Sequence, residues 1–265
     1  MFSLKGRGAV ITGGSGSLGI ACAKALVEMG ADVVLIGRSD EKLQLAKQQL
    51  GTKGTGRIEC LVCDVTKEES VNAAPSQLAN VGFKSDILVT AAAVSAASKP
   101  FQDLNLTDWR ATTSTDLDGV FLACKVFGTA MAKTGFGRII NLTSFHSVAT
   151  YPYRVPYNAA KAGVEGLSRA LAVEWGHLGV TVNTVAPGPI LTPRTQWFID
   201  QDENNLPGML SRTPNKRLGT STDIGATVAF LASGESGHIN GQRLVVDGGW
   251  TTNAWWGDHQ RLQCI

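Results

Sequence analysis

A short apolar strand that runs into a glycine loop and out into a helix constrains the fold of this chain more than any other stretch. Residues 8–12 read Gly-Ala-Val-Ile-Thr, and the loop Gly13-Gly14-Ser15-Gly16-Ser17-Leu18-Gly19 follows. Residues 20–29 are then apolar and alanine-rich up to Gly30, as a helix would be. Gly14-x-Gly16-x-x-Gly19 between a strand and a helix fits a dinucleotide-binding turn. The glycines permit the tight bend and let backbone N–H groups approach a pyrophosphate at the helix N-terminus. The alternative is a plain βα turn, and the strand–loop–helix context favours the nucleotide.

The alternation continues along the chain. Apolar strands are predicted at residues 31–36, 57–63, 86–90, 137–143, 180–185 and 244–246. Helical stretches are predicted through Leu43, Leu45, Ala46 and Leu50, over 107–133, from Pro156 to about Trp175, and over 224–232. A glycine-rich turn occupies residues 51–56, and no repeat, low-complexity run or linker interrupts the 265 residues. Strand and helix in alternation imply one α/β domain, a doubly wound parallel sheet of the Rossmann type. With 43% hydrophobic and 17% charged residues the chain suits a compact enzyme, not a disordered one. A net charge of +2 leaves no basic stripe for nucleic acid. No apolar run approaches the ~18 residues of a membrane span. The polar residues 1–8 do not read as a signal peptide, so a cytoplasmic location is expected.

The end of the second strand bears on the cofactor. NAD enzymes usually hold the ribose hydroxyls with a carboxylate near this point, and Gly37-Arg38-Ser39 has none. Arg38 offers a guanidinium suited to a 2′-phosphate, although it could also stack on adenine. Asp40 and Glu41 read as the first turn of the next helix, with Ser39 as its cap. These residues favour NADP over NAD.

The chemistry concentrates between Ser144 and Lys161. Tyr157 and Lys161 are four apart in a segment that continues as a good helix, so they share a face. An ammonium beside a phenol favours the phenolate, which suits a group that gives a proton to a carbonyl oxygen or takes one from an alcohol. Ser144 follows the apolar run of Ile139, Ile140 and Leu142, and therefore stands at a strand's C-terminal end, where α/β sheets place their ligands. A Tyr–Lys pair alone would more often be surface; the case rests on its arrival with Ser144 and the glycine loop.

With these residues the chain resembles the short-chain dehydrogenase/reductase family over roughly residues 5 to 250. That family's Ser and Tyr-x-x-x-Lys fall on Ser144, Tyr157 and Lys161 with the spacing intact. Its Thr-Gly-x-x-x-Gly-x-Gly loop matches at Thr12, Gly13 and Gly19, while Ser17 replaces the middle glycine and Gly16 stands one place earlier. The resemblance implies an NAD(P)-dependent oxidoreductase that interconverts a carbonyl and a secondary alcohol. Tyr157 would be the general acid or base, Lys161 would assist it and bind the nicotinamide ribose, and Ser144 would orient the substrate oxygen. Cofactor contacts are implied for Gly13, Ser15, Ser17, Leu18, Gly19, Arg38, Asp64, Val65 and Ala92. They are implied also for Tyr157, Lys161, Pro187, Ile190 and Thr192, the last two beside the carboxamide. Asp64 would meet the adenine, though it could equally cap a helix from Lys67 onwards.

Two positions depart from the family pattern. Thr90-Ala91-Ala92-Ala93 stands where Asn-Asn-Ala-Gly is usual, and Asp116 stands where a catalytic Asn is usual. That Asn kinks its helix so that a main-chain carbonyl holds a relay water, a role Asp116 could keep.

Several features stay open at the level of sequence. Residues 193–217 read as a long active-site lid. His146, Tyr151, Tyr153 and Arg154 could line a polar pocket or lie on the surface around a turn, the second favoured for Arg154. Cys60-x-x-Cys63 has no second pair to complete a metal site, and the five cysteines read as reduced thiols. The helices over 107–133 and 156–175 carry more apolar residues than one buried stripe needs, so a homo-oligomer, dimer or tetramer, is expected, with Trp255 and Trp256 of the tail packing on a neighbour. The expected partner is a small carbonyl or alcohol substrate. A dinucleotide-sensing protein without catalysis is the competing class, and the intact Ser144, Tyr157 and Lys161 argue against it.

Overall fold

Seven strands form a single parallel sheet in the order β3-β2-β1-β4-β5-β6-β7. They are β1 (Gly8–Thr12), β2 (Asp32–Gly37), β3 (Ile58–Val62), β4 (Ile87–Thr90), β5 (Gly137–Leu142), β6 (Val180–Pro187) and β7 (Arg243–Val246). The computed structural model describes residues 2–51, 56–94 and 98–254. Most of the expected turn at 51–56, together with Trp255, Trp256 and Cys264, lies outside them.

Each inner strand is apolar along its whole length because both faces are covered. Alternation then divides one strand between two cores. Ala9, Ile11, Val33, Leu35, Ile87 and Val89 face one core, and Val10, Val34, Ile36 and Leu88 face the other. All ten side chains are at most 1% exposed, and burying each larger one contributes about 1.5–3 kcal/mol. The first core is closed by α1 (Ser17–Glu28), α2 (Asp40–Leu50) and α10 (Ser221–Ala232). The second is closed by α3 (Glu68–Asn80), the segment from α4 (Leu106–Thr113) through α5 (Gly119–Ala123) to α6 (Thr129–Thr134), and α7 (Val155–Trp175).

The expected long helix over 107–133 is present but uneven. Two π-helical turns, Ser114–Asp118 and Cys124–Gly128, separate α4, α5 and α6. Helix α1 begins at Ser17, inside the glycine loop, three residues before the apolar pattern starts. The stretch at 193–217 is not an irregular loop: it holds α8 (Pro193–Ile199) and α9 (Asn205–Arg212). Thr192 caps α8 by accepting from the Thr195 N–H, and Thr220 with Asp223 forms a capping box that starts α10. Cys60 packs on the first core and Cys63 on the second, so the two thiols diverge and do not form a ligand pair. Among the described residues no helix is long and apolar enough to cross a membrane.

Candidate active site

A cavity of about 350 Å³ opens at the C-terminal edge of β1, β2, β3 and β4. Gly13, Ser15, Gly16, Arg38, Asp64, Val65 and Ala92 line it, all but Gly16 among the residues proposed for the cofactor. The loop is built for close approach. A Cβ on Gly13 would stand 2.6 Å from the Ala92 Cα, and one on Gly19 would stand 2.2 Å from the Gly13 carbonyl oxygen. Gly13 also has φ +65°, a conformation that glycine adopts without strain. Gly16 is the N-cap of α1 and supplies no side-chain cap, which leaves the first-turn N–H groups of Ser17, Leu18 and Gly19 free to meet a phosphate. The residues present therefore fit a dinucleotide.

The alanines after β4 follow from the same packing. The Ala91 N–H donates to the Thr12 carbonyl at 3.1 Å and the Ala92 N–H to the Thr12 hydroxyl at 3.4 Å, which brings this backbone against the glycine loop. Asp64 does not cap α3, whose N-cap is Lys67. Its carboxylate instead accepts from the N–H (3.0 Å) and hydroxyl (2.8 Å) of Thr66. Burial pushes the Asp64 carboxyl up, but the two Thr66 bonds and the charges of Arg38 and Lys67 outweigh it and hold the group below the usual carboxylate value. Lys42, which no sequence motif marks, also lines the cavity beside Arg38 and Ser39. Its place in the first turn of α2, shortly after Arg38, was the available signal.

Ser144, Tyr157 and Lys161 lie beyond that cavity, towards β5 and β6. Ser144 follows β5 and opens a 3₁₀ turn, where its hydroxyl accepts the His146 N–H at 3.2 Å. The hydroxyl proton of Ser144 stays available to a substrate oxygen. Tyr157 and Lys161 project from α7, with the Lys161 Nζ 5.6 Å from the centre of the Tyr157 ring. Lys161 is only 3% exposed; its Nζ donates to the Leu142 carbonyl at 3.2 Å and lies 3.5 Å from the Asp116 Oδ2. Asp116 sits in the first π-helical turn, fully buried, and its Oδ1 accepts the Val94 N–H at 2.9 Å. The Oδ2 makes no hydrogen bond, so its contact with Lys161 is an ion pair at slightly longer range. Asp116 thus holds both the chain leaving β4 and the lysine.

Glu165, one turn past Lys161 on α7, fastens the serine loop to this helix. Its Oε1 accepts from the Ser147 hydroxyl and, at 3.5 Å, from the Thr143 hydroxyl, and its Oε2 pairs with Arg243 at 3.6 Å. Ser144 is thereby tied to the helix that carries Tyr157 and Lys161. No sequence motif marked Glu165.

An aromatic wall adjoins the site. The His146 ring lies 5.7 Å from Tyr157, 4.7 Å from Tyr151 and 4.3 Å from Phe145, and Trp250 closes on Phe145 at 4.7 Å. His146 is buried, and burial with the charges of Arg154 and Arg194 pushes its pKa down to about 4. Of the open pocket candidates, His146 and Tyr151 pack in the aromatic wall beside Tyr157, Arg154 is half-buried at the start of α7, and Tyr153 is exposed with φ 65°. Pro187 ends β6, and Ile190 is buried in a parallel bridge with Gly219.

A parallel sheet of this order, with a glycine cradle at one strand end and a Ser–Tyr–Lys cluster at another, defines a nicotinamide-dependent oxidoreductase. The comparisons agree. A family model described as Enoyl-(Acyl carrier protein) reductase matches residues 13–251. The chain is 38% identical over 253 residues to galactitol 2-dehydrogenase of Rhizobium johnstonii, covering 94% of this chain and 97% of the relative. It is 36% identical over 250 residues to D-threitol dehydrogenase of Mycolicibacterium smegmatis, covering 94% and 95%. A crystal structure of a gluconate 5-dehydrogenase from Burkholderia cenocepacia in complex with NADP and tartrate superposes with TM-score 0.89 at 32% identity, covering 96% of this chain and 98% of that one. The chain belongs to the short-chain dehydrogenase/reductase family. It is an NAD(P)-dependent enzyme that interconverts a secondary alcohol and a ketone.

Proposed function

We propose that this enzyme is an NADP-preferring dehydrogenase of polyhydroxylated substrates, with Tyr157 as its general acid and base. The observation that carries the reading is the clustering of Ser144, Tyr157 and Lys161 at the strand end beyond the cofactor cradle, with the His146 ring 5.7 Å from Tyr157. When bound, the nicotinamide exchanges a hydride with the carbinol carbon. In oxidation the Tyr157 oxygen accepts the substrate's hydroxyl proton, and in reduction it returns one. Ser144 donates its hydroxyl hydrogen to the same substrate oxygen and so orients it. Lys161, anchored by Leu142 and Asp116, presents its remaining N–H to the ribose hydroxyls and its charge to Tyr157.

Gly13, Ser15, Ser17, Leu18 and Gly19 hold the pyrophosphate in this reading. Asp64, Val65 and Ala92 line the adenosine end, and Pro187 and Ile190 shape the nicotinamide end. The Thr192 hydroxyl already accepts from Thr195 at the start of α8, so any carboxamide contact shares that group. Arg38, with Lys42 beside it and no carboxylate placed for the ribose diol, supports the 2′-phosphate. The galactitol and threitol relatives act on polyols by name, which supports a hydroxylated substrate here. The same reading makes the protein a cytoplasmic homo-oligomer. The test is nicotinamide absorbance at 340 nm, roughly where the reduced ring absorbs, against a panel of polyols, sugars and apolar ketones, with NADP and NAD assayed separately. Turnover of polyols with NADP is expected; turnover confined to apolar ketones would overturn the substrate reading.

A further inference from the structure

One buried carboxylate holds the segments on both sides of Ser144. Along α7, Tyr157, Lys161 and Glu165 follow one another at intervals of four, with Ser168 three further on, so they share a face. Past the tyrosine, each of these side chains grips the end of β5 or the turn after it. The Ser168 hydroxyl accepts from the Asn141 Nδ2 at 2.9 Å, and the Lys161 Nζ donates to the Leu142 carbonyl at 3.2 Å. Glu165 takes the next step. Its Oε1 meets the Ser147 hydroxyl, three residues after Ser144, and at 3.5 Å the Thr143 hydroxyl, one residue before it. The Ser147 contact carries most of this hold, because the Thr143 contact is long for a hydroxyl donor.

The Ser147 hydroxyl has a single proton, and the carboxylate is a stronger acceptor for it than the Ser144 carbonyl at 2.8 Å. The other bonds of this turn stay local or lead to β6. The Ser147 N–H donates to the Ser144 carbonyl at 3.0 Å, and the Thr143 N–H to the Val185 carbonyl at 2.8 Å. Neither reaches α7, the helix that carries Tyr157. Glu165 is only 7% exposed, and its Oε2 is met by Arg243 of β7 at 3.6 Å. A buried ion pair is a poor source of stability, since desolvation offsets much of the attraction. What this carboxylate supplies is direction, through charge-assisted bonds to the flanks of one serine.

We propose that Glu165 is a positioning residue for the redox step: through Ser147 and Thr143 it sets where the Ser144 hydroxyl stands relative to Tyr157. This rests on the assignment of Ser144, above, as the group that orients the substrate oxygen.

The test is a double-mutant cycle on the full chain with NADP and galactitol, replaced by the panel substrate of highest kcat/KM where galactitol is not turned over. Glu165→Leu should lower kcat about tenfold or more, since a misplacement on the order of 1 Å is costly in an oriented reaction. Glu165→Gln keeps an acceptor for Ser147 and should recover most of that loss. In a Ser144→Ala background the further loss from Glu165→Leu should shrink to about twofold or less, because the hydroxyl it positions is gone. NADPH titration by fluorescence should give the wild-type stoichiometry in every variant, which separates lost geometry from unfolded protein. If Glu165→Leu does not fold, Ser147→Ala, which leaves the Glu165–Arg243 pair in place, is taken through the same cycle. A loss of equal size with and without the Ser144 hydroxyl overturns the inference, as does wild-type kcat in Glu165→Leu. Wild-type kcat in Ser144→Ala overturns the assignment of Ser144 and this inference with it. No turnover of any panel substrate by the wild type with either nucleotide overturns the function proposed above.

Discussion

The carboxylate of Asp116 lies 3.5 Å from the ammonium of Lys161, and both groups are buried. A π-helical turn aims the aspartate inward, so that one oxygen holds the chain after β4 and the other faces the lysine. An acidic residue at this position is therefore a structural counter-ion to Lys161.

Asp116→Asn keeps an oxygen for the Val94 N–H, and turnover is expected to stay within about tenfold of wild type, roughly 1.4 kcal/mol in barrier. Asp116→Leu removes both contacts and leaves Lys161 charged and buried, at a cost of about 3–5 kcal/mol in stability. Urea unfolding of the two variants separates the roles. A large gain in activity from Asp116→Asn would mean that the carboxylate damages the proton relay.

Tyr157→Phe deletes the hydroxyl and leaves the ring against His146. Turnover should fall by about 10² or more, while NADPH still binds with near-normal affinity by fluorescence. Near-normal turnover would sink the assignment of Tyr157 as proton donor.

Arg38 faces the cavity with Lys42 and carries the expected preference for the 2′-phosphate. Arg38→Ala should reduce kcat/KM for NADP about tenfold or more and change that for NAD little. A wild-type enzyme that already prefers NAD would contradict this role.

His146 has its pKa lowered from 6.5 to about 4 in the folded protein, by burial first and then by Arg154 and Arg194. Below its ordinary value the unfolded chain takes up a proton that the folded protein does not. Stability contributed by this group is therefore present above pH 6.5 and lost as the pH falls towards about 4. His146→Gln should flatten that part of the profile, read from urea midpoints across the window. An unchanged slope would show that His146 titrates normally in the fold.

Phe121 on α5 is 47% exposed, and Val173 on α7 is 85% exposed. Apolar side chains left open on these helices fit a face shared with another copy of the chain. Sedimentation at concentrations on the order of micromolar should show a dimer or tetramer, and a monomer would refute the assembly.

Much of the architecture was legible because it is written locally. A strand buried on both faces must be an apolar run, and β1 reads as one from Gly8 to Thr12. The first turn of α1 was not legible, since Gly16 as N-cap has no capping side chain to announce it. The stretch at 193–217 read as a loop because Pro207 and Gly208 mask the short α9. Asp64 looked like a cap and proved to brace its own turn through Thr66.

The division within the site follows the range of the forces involved. Ser144, Tyr157, Lys161 and the glycine cradle could be placed from the sequence, because strand ends and helical periodicity set their positions over a few residues. The Asp116–Lys161 pair and the Glu165 anchor on the serine loop were decided only by the tertiary structure. Each joins residues on different elements, and a charge carries no mark in the sequence of which distant charge the packing will bring beside it.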